Sequence, residues 1–208
     1  MTKILIIDSA VTGEASVSRK LTSELAARLR QKDPTVRIAY RDIGAEPIPH
    51  LVPDTVAAIR GTADSAAAKE TLRLSNELVA EVQDADVIVI GAPMYNFGIP
   101  STLKTWFDHV LRAGITFRYT DAGPEGLVKG KRAIVIETRA GFYSEGPATG
   151  MDSQEPHLRT LLGFIGITDV SFVRAEKLAF GPDAAAAAVE TAIEELRGLA
   201  ETELALAA

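Results

Sequence analysis

There is no cysteine in this chain, and that one absence removes a disulfide framework, thiolate metal ligands, a sulfur nucleophile and cysteine-held iron–sulfur clusters. Redox chemistry, if there is any, must come from a borrowed cofactor. Long apolar runs are missing too. No stretch reaches the roughly 18 residues a spanning helix needs, and Ile4–Ile7 meets Asp8 too soon to be the core of a secretory signal. No membrane partner and a cytoplasmic location are expected. Basic clusters are equally scarce: 22 Lys and Arg face 28 Asp and Glu, for a formal charge of -6. Nucleic-acid surfaces need clustered cations, so a nucleic-acid partner is excluded and any anionic ligand must be held locally. Histidine is sparse as well, and His50, His109 and His157 stand without other ligand residues at metal-binding spacing. No metal site is expected.

What is present is an ordinary globular composition, 208 residues with 47% hydrophobic and 24% charged, enough for one full core. A single domain over residues 1–208 is expected. Short β-branched runs recur at Ile4–Ile7, Val36–Ala39, Val87–Ile90, Ala133–Ile136 and Val170–Val173. They are nearly continuous in hydrophobicity, as strands covered on both faces are. Between them, three-to-four apolar spacing predicts helices over Ser18–Arg30, Lys69–Gln83, Thr102–Leu111, Pro156–Ile165 and Ala184–Leu199. This alternation predicts an α/β fold with a parallel sheet. Gly44–Ala68, carrying Pro47, Pro49, Pro53 and Gly61, reads as an excursion over the surface, and Gly141–Glu155 is a second long connection.

Ligands of open parallel sheets bind beyond the carboxyl ends of the strands, which singles out Asp8–Ser18, Gly91–Ser101 and Thr138–Tyr143. In the first, Ser9, Thr12, Gly13, Ser16 and Ser18 converge on a helix start, the chemistry of a phosphate site. The alternative is that the serines only cap the helix. Neither the G-x-G-x-x-G nor the G-x-x-x-x-G-K-[ST] pattern is present there, and Gly130-Lys131 precedes a strand. The second segment sets Met94, Tyr95, Asn96 and Phe97 between Pro93 and Pro100. A planar apolar ligand would cover these groups, unless they form a plug between helices.

The run Pro93–Pro100 is followed by Leu103, Lys104, Trp106, Phe107 and Asp108, then by Arg112-Ala113-Gly114 and Thr116–Tyr119. In that order they resemble the FMN-dependent NADH-azoreductases, a branch of the flavodoxin-like quinone reductases. The similarity continues through Gly123–Leu127, Gly130-Lys131 and Gly163–Asp169. The resemblance implies a flavodoxin-like three-layer sandwich with a five-stranded parallel sheet in the order 2-1-3-4-5. It also implies FMN as cofactor, NADH as donor with NADPH as the other candidate, and quinones and azo compounds as acceptors in a two-electron ping-pong cycle. Ser9, Ser16, Val17 and Ser18 would surround the phosphate. Pro93, Met94, Tyr95, Asn96 and Phe97 would line the ring and ribityl chain, and Thr138, Arg139, Ala140 and Gly141 would reach the pyrimidine edge.

Val17, Ala10 and Ala140 depart from the family pattern, which has a polar residue, serine and glycine at these places; backbone amides could serve at Val17 and Ala140. No catalytic side chain is implied, because the flavin carries the chemistry. Phe97, Phe117, Tyr119, Phe142 and Phe164 are candidate stacking walls of a substrate site, and a homodimer whose partner contributes to the pocket is implied. Arg60, Arg118 and Arg139 are the candidates to meet a 2′-phosphate. Two alternatives stay open: a flavodoxin-type electron carrier, which leaves Ile115–Tyr119 unexplained, and a cofactor-free regulatory module of the same fold.

Overall fold

From the N-terminus the chain forms β1 (Lys3–Asp8), α1 (Val17–Lys32), β2 (Arg37–Asp42), a short α2 (Pro53–Val56), α3 (Ala66–Asp84), β3 (Val87–Pro93) and α4 (Ser101–Val110). There follow β4 (Phe117–Thr120), β5 (Gly123–Gly126), β6 (Arg132–Thr138), α5 (Glu155–Ile165), β7 (Asp169–Ala175) and α6 (Pro182–Leu206). The computed structural model describes the backbone of residues 1–206 and the side chains of residues 1–201.

The sheet runs β2-β1-β3-β6-β7 with every pair parallel. With the β4–β5 hairpin set aside, this is the expected 2-1-3-4-5 order. The register aligns the strand starts: Ile4 lies opposite Val87, Val87 opposite Arg132, and Arg132 opposite Asp169. Asp8, Pro93, Thr138 and Ala175 therefore end together along one edge.

Alternation along each strand sends successive side chains to opposite faces. Leu5, Ile7, Ile88, Ile90 and Val135 pack with Leu103, Trp106, Phe107, Leu158 and Leu162 beneath α4 and α5. Ile4, Ile6, Val89, Ile134 and Ile136 pack with Leu21, Leu25, Leu29 and Leu196 beneath α1 and α6. Each fully buried aliphatic or aromatic side chain contributes roughly 1.5–3 kcal/mol, so both layers are held mainly by these contacts.

Two segments differ from the sequence reading. The sequence reading assigned no strand between Leu111 and Ala133, yet Gly123–Gly126 pairs antiparallel with Phe117–Thr120. The hairpin docks because Gly126 meets Gly166 so closely that a Cβ on Gly126 would lie 2.2 Å from the Gly166 nitrogen. The connection Gly44–Ala68 runs mostly exposed, as expected, but is anchored to the core by the buried Ile48 and Ala58. Its prolines erase helical periodicity while isolated apolar residues still reach the core. It is pinned to α4 by His109 Nε2 with the Pro49 carbonyl at 3.0 Å, and by Thr105 Oγ1 with His50 Nδ1 at 3.0 Å. Burial holds His109 below its ordinary pKa, so it stays neutral and structural. Among the described residues, no cluster of metal-ligating side chains occurs and no helix is long and apolar enough to cross a membrane.

Candidate active site

Beyond β1 the chain turns through Gly13–Ala15 into α1, which Ser16 caps by accepting the Arg19 amide at 3.2 Å. The Ser16 and Ser18 hydroxyls sit 3.0 Å apart at the helix N-terminus, where unpaired amides and the helix dipole favour an anion. The side chain of Arg19 is committed elsewhere. It grips Asp42 at the end of β2 with both terminal nitrogens, one of them 2.8 Å from Oδ1, and reaches the Ala10 carbonyl at 3.4 Å. Arg19 holds the Asp42 carboxyl below its ordinary pKa. Burial pushes the neighbouring Asp8 up, against the pull of the Thr22 hydrogen bond and the Arg19 charge. The loop is thus shaped by an ion pair and leaves hydroxyls and amides for the ligand.

The second loop is a two-residue hairpin turn. Tyr95 and Gly98 exchange both backbone hydrogen bonds, at 3.0 and 3.1 Å, and Asn96 and Phe97 have φ of 48° and 71°. That is the geometry of a type I′ turn, whose second position normally carries glycine. With phenylalanine there, the strained backbone lifts an aromatic ring out of the protein, and Phe97 is 42% exposed. Met94 and Tyr95 are half-buried beside it, and Asn96 is exposed.

Four bonds weld the loops into one unit. The Val11 amide donates to the Tyr95 hydroxyl at 3.2 Å, and Thr102 Oγ1 donates to the Ser9 carbonyl at 2.9 Å. The Met94 amide donates to the Thr138 carbonyl at 2.8 Å, and the Ser153 amide to the Phe97 carbonyl at 3.0 Å. Phe97 also meets Tyr143 edge-on, with ring centroids 6.2 Å apart.

The residues singled out from sequence divide by exposure. Met94, Tyr95, Asn96, Phe97, Val17, Ala140 and Gly141 are at least partly open, whereas Ser9, Ser16, Ser18, Pro93, Thr138 and Arg139 are buried. The Ser9 hydroxyl is committed to the Gly91 carbonyl at 2.6 Å. Pro93 and Thr138 are register partners in the sheet. Arg139 departs most from expectation. Its guanidinium is fully buried among Glu137, Asp152, Gln154 and Glu176, and its backbone amide bonds to Ala175. It therefore meets neither a pyrimidine edge nor a 2′-phosphate. Arg118 is paired with Glu125 at 2.7 Å on the hairpin, and Arg60 ends a short helical turn with its side chain exposed.

The five candidate wall aromatics do not gather in one pocket. Phe97 and Phe142 lie at the carboxyl edge, Phe142 beneath Lys177 Nζ, 3.9 Å from the ring centroid. Phe164 sits in the last turn of α5, which runs antiparallel to the strands and ends just before β7 begins, so it lies at the amino edge. Phe117 packs on Phe164 at 4.6 Å and Tyr119 on Phe117 at 5.6 Å, which places all three away from Phe97.

Sequence reading missed Gly44, where a Cβ would lie 2.0 Å from the Ala10 carbonyl oxygen, and it missed Thr102 and Gln154; Tyr143 stood inside an expected segment without a role. Thr102 follows the aromatic turn and was the one of these within reach of local reasoning. The others act through partners far away in sequence.

A hydroxyl-and-amide anion cradle joined to an exposed apolar wall suits a ligand that is phosphate at one end and a planar ring at the other, the shape of FMN. A family model described as Flavodoxin-like fold matches residues 2–199. The chain is 47% identical over 208 residues, 100% of both chains, to an FMN-dependent NADH:quinone oxidoreductase of Hyphomonas neptunium. It is similar to the crystal structure of an azoreductase from Bacillus anthracis str. Sterne, with TM-score 0.89, 28% identity, and coverage of 97% of this chain and 100% of that one. It is also similar to an FMN-dependent NADH-azoreductase from Bacillus anthracis str. Ames Ancestor in complex with FMN, with TM-score 0.88, 26% identity, and coverage of 97% and 99%.

Proposed function

This chain belongs to the flavodoxin-like fold family, among the FMN-dependent NADH:quinone oxidoreductases, and from that premise we propose that it binds FMN at the carboxyl edge of its sheet and reduces quinones and azo compounds with NADH. The observation that carries the reading is the Val11–Tyr95 bond at 3.2 Å, which makes the anion cradle and the aromatic turn one rigid site. Ser16, Ser18 and the first amides of α1 would take the phosphate. Met94 to Phe97 would face the ring, and Ala140 and Gly141, the open members of the third segment, would meet its edge. A flavin held there would supply the two-electron chemistry between NADH and the acceptor. The chain's own part would be to position the ring against Met94 to Phe97 and to keep water from the side that these residues cover.

The aromatic trio at the opposite edge supports a homodimer. Tyr119 is 74% exposed and Ile115 is 36% exposed, apolar groups that a second copy would cover. A second copy that laid this hairpin across the open flavin face would give it a use and would complete a substrate pocket. An electron carrier would leave it idle. We read residues 1–208 as one domain, in keeping with the span of the family match, and dependence on NADH supports a cytoplasmic location.

The test is direct. Protein incubated with FMN and desalted should stay yellow, bleach anaerobically with NADH and recover on adding a quinone, and double-reciprocal plots with both substrates varied should run parallel. Protein that emerges colourless after desalting refutes the flavin reading, and intersecting plots refute a shared site.

A further inference from the structure

The segment Ala140–Ser153 borders the proposed flavin site, and none of its residues is buried. On its outer side it lines a cleft of about 580 Å³ with Tyr143, Ser144 and Asp152. Apolar contact is confined to edges such as Phe97 on Tyr143. Backbone bonds tie its two ends, Gly141 and Ala140 accepting the Lys177 and Ala179 amides at 2.7 and 3.0 Å and the Ser153 amide donating to Phe97, and polar bonds to one buried centre hold Tyr143 and Ser144. Glu176 accepts the Tyr143 and Ser144 amides at 2.8 and 3.1 Å, as well as the Ser144 hydroxyl. Arg139 Nη1 donates to Glu176 at 3.1 Å, Nε to Gln154 at 2.9 Å and Nη2 to Glu137 at 2.7 Å. Gln154 in turn reaches the Ala92 carbonyl of β3 at 2.8 Å.

We propose that Glu137, Arg139 and Glu176 are positioning residues for the flavin's rim, which hold Ala140–Ser153 against the turn Tyr95–Gly98, and that ionisation of Glu137 releases this segment. The inference rests on the flavin reading for its consequence, though the clamp itself is a property of the chain. Glu137 is fully buried, and its Oε1 has no hydrogen-bond partner among the described residues. The charges that face it are Arg139 on its own strand, Arg174 of β7 at 3.8 Å, Asp152 of the connection and Glu155 of α5. Burial is the main reason its carboxyl is pushed up to about 8, with Asp152 and Glu155 adding to the rise against the pull of Arg139 and Arg174. No donor is aimed at Oε1, so nothing there offsets the desolvation of the charged form, which is costly. Admitting water relieves that cost, and the segment, which has no buried residue, is the part that opens.

Hydrogen exchange of the full chain, with and without FMN, tests this across pH 5.5–9.5 after correction for the intrinsic rate. In the wild type, opening of residues 140–153 should rise by up to about tenfold per pH unit and level off above about pH 8, because the open state ionises first. Glu137→Gln should flatten that profile. Glu176→Gln should raise opening at every pH by about tenfold, the loss of a charge-assisted hydrogen bond. In the loaded protein, flavin fluorescence should follow the same pH dependence in the wild type and lose it in Glu137→Gln. Identical pH profiles for wild type and Glu137→Gln overturn the proposal, as does undiminished protection in Glu176→Gln. If the segment opens with pH but FMN is never retained, the clamp stands and the flavin reading falls. If FMN is retained and opening ignores pH, the reverse holds. Should Glu137→Gln not fold, the wild-type profile and Glu176→Gln still decide.

Discussion

Phe97 occupies the turn position where glycine is normally found, and replacing it by glycine and, separately, by alanine isolates the strain from the ring. At φ 71° an L-residue with a Cβ costs roughly 1–2 kcal/mol. Alanine keeps that cost and glycine removes it. Glycine is elsewhere less stable than alanine by roughly 0.5–1 kcal/mol, so here the order should reverse, with Phe97→Gly above Phe97→Ala by about 1 kcal/mol. Both lose the edge contact with Tyr143, about 0.5–1.5 kcal/mol. Phe97→Gly should therefore lie near the wild type and Phe97→Ala below it. For a chain of this length, 1 kcal/mol moves Tm by about 2–4 °C, so thermal and urea unfolding of the cofactor-free protein resolve the difference. Both variants should reduce acceptors poorly to the same degree, since the ring is gone from each. If alanine proves more stable than glycine by the ordinary margin of roughly 0.5–1 kcal/mol, the strain does not exist, and the turn is not paying for an exposed aromatic.

Gly44→Ala should push the Ala10 carbonyl out of place, cost about 1–3 kcal/mol as an overpacked site, and weaken FMN binding in a fluorescence titration; unchanged affinity would mean that the loop yields freely. Tyr119→Ala should retain FMN but lower kcat/KM for the acceptor, and mixing it with a variant defective only at the flavin turn should restore part of the activity through hybrid dimers. Equal activity of Tyr119→Ala and wild type would remove the hairpin from the pocket. Glu137 sets a pH trend in stability: its folded pKa of about 8 stands above the unfolded 4.5, so the folded chain holds an extra proton between these values. That contribution is full below pH 4.5 and is lost as pH rises to about 8. Urea midpoints of Glu137→Gln should gain on the wild type across that window, and parallel curves would count against it.

Strand positions and two of the three site loops were legible in sequence because their signals are local, whereas the strand order followed from the family resemblance. Continuous β-branched runs mark strands buried on both faces, and the serine-rich turn and the Met94–Phe97 loop each show their chemistry within a few residues. The hairpin Phe117–Gly126 was missed because Gly123, Pro124 and Gly126 give its second strand no apolar alternation, and its docking depends on Gly166, distant in sequence. The sequence by itself determined an α/β sheet whose carboxyl edge offers an anion cradle beside an aromatic turn. Tertiary structure alone decided what those side chains touch. It withdrew Arg139 from the ligand into a buried cluster of carboxylates and placed Phe117, Tyr119 and Phe164 at the far edge from Phe97. Burial and charge pairing are set by neighbours brought together by folding, and the linear chain carries no local mark of them.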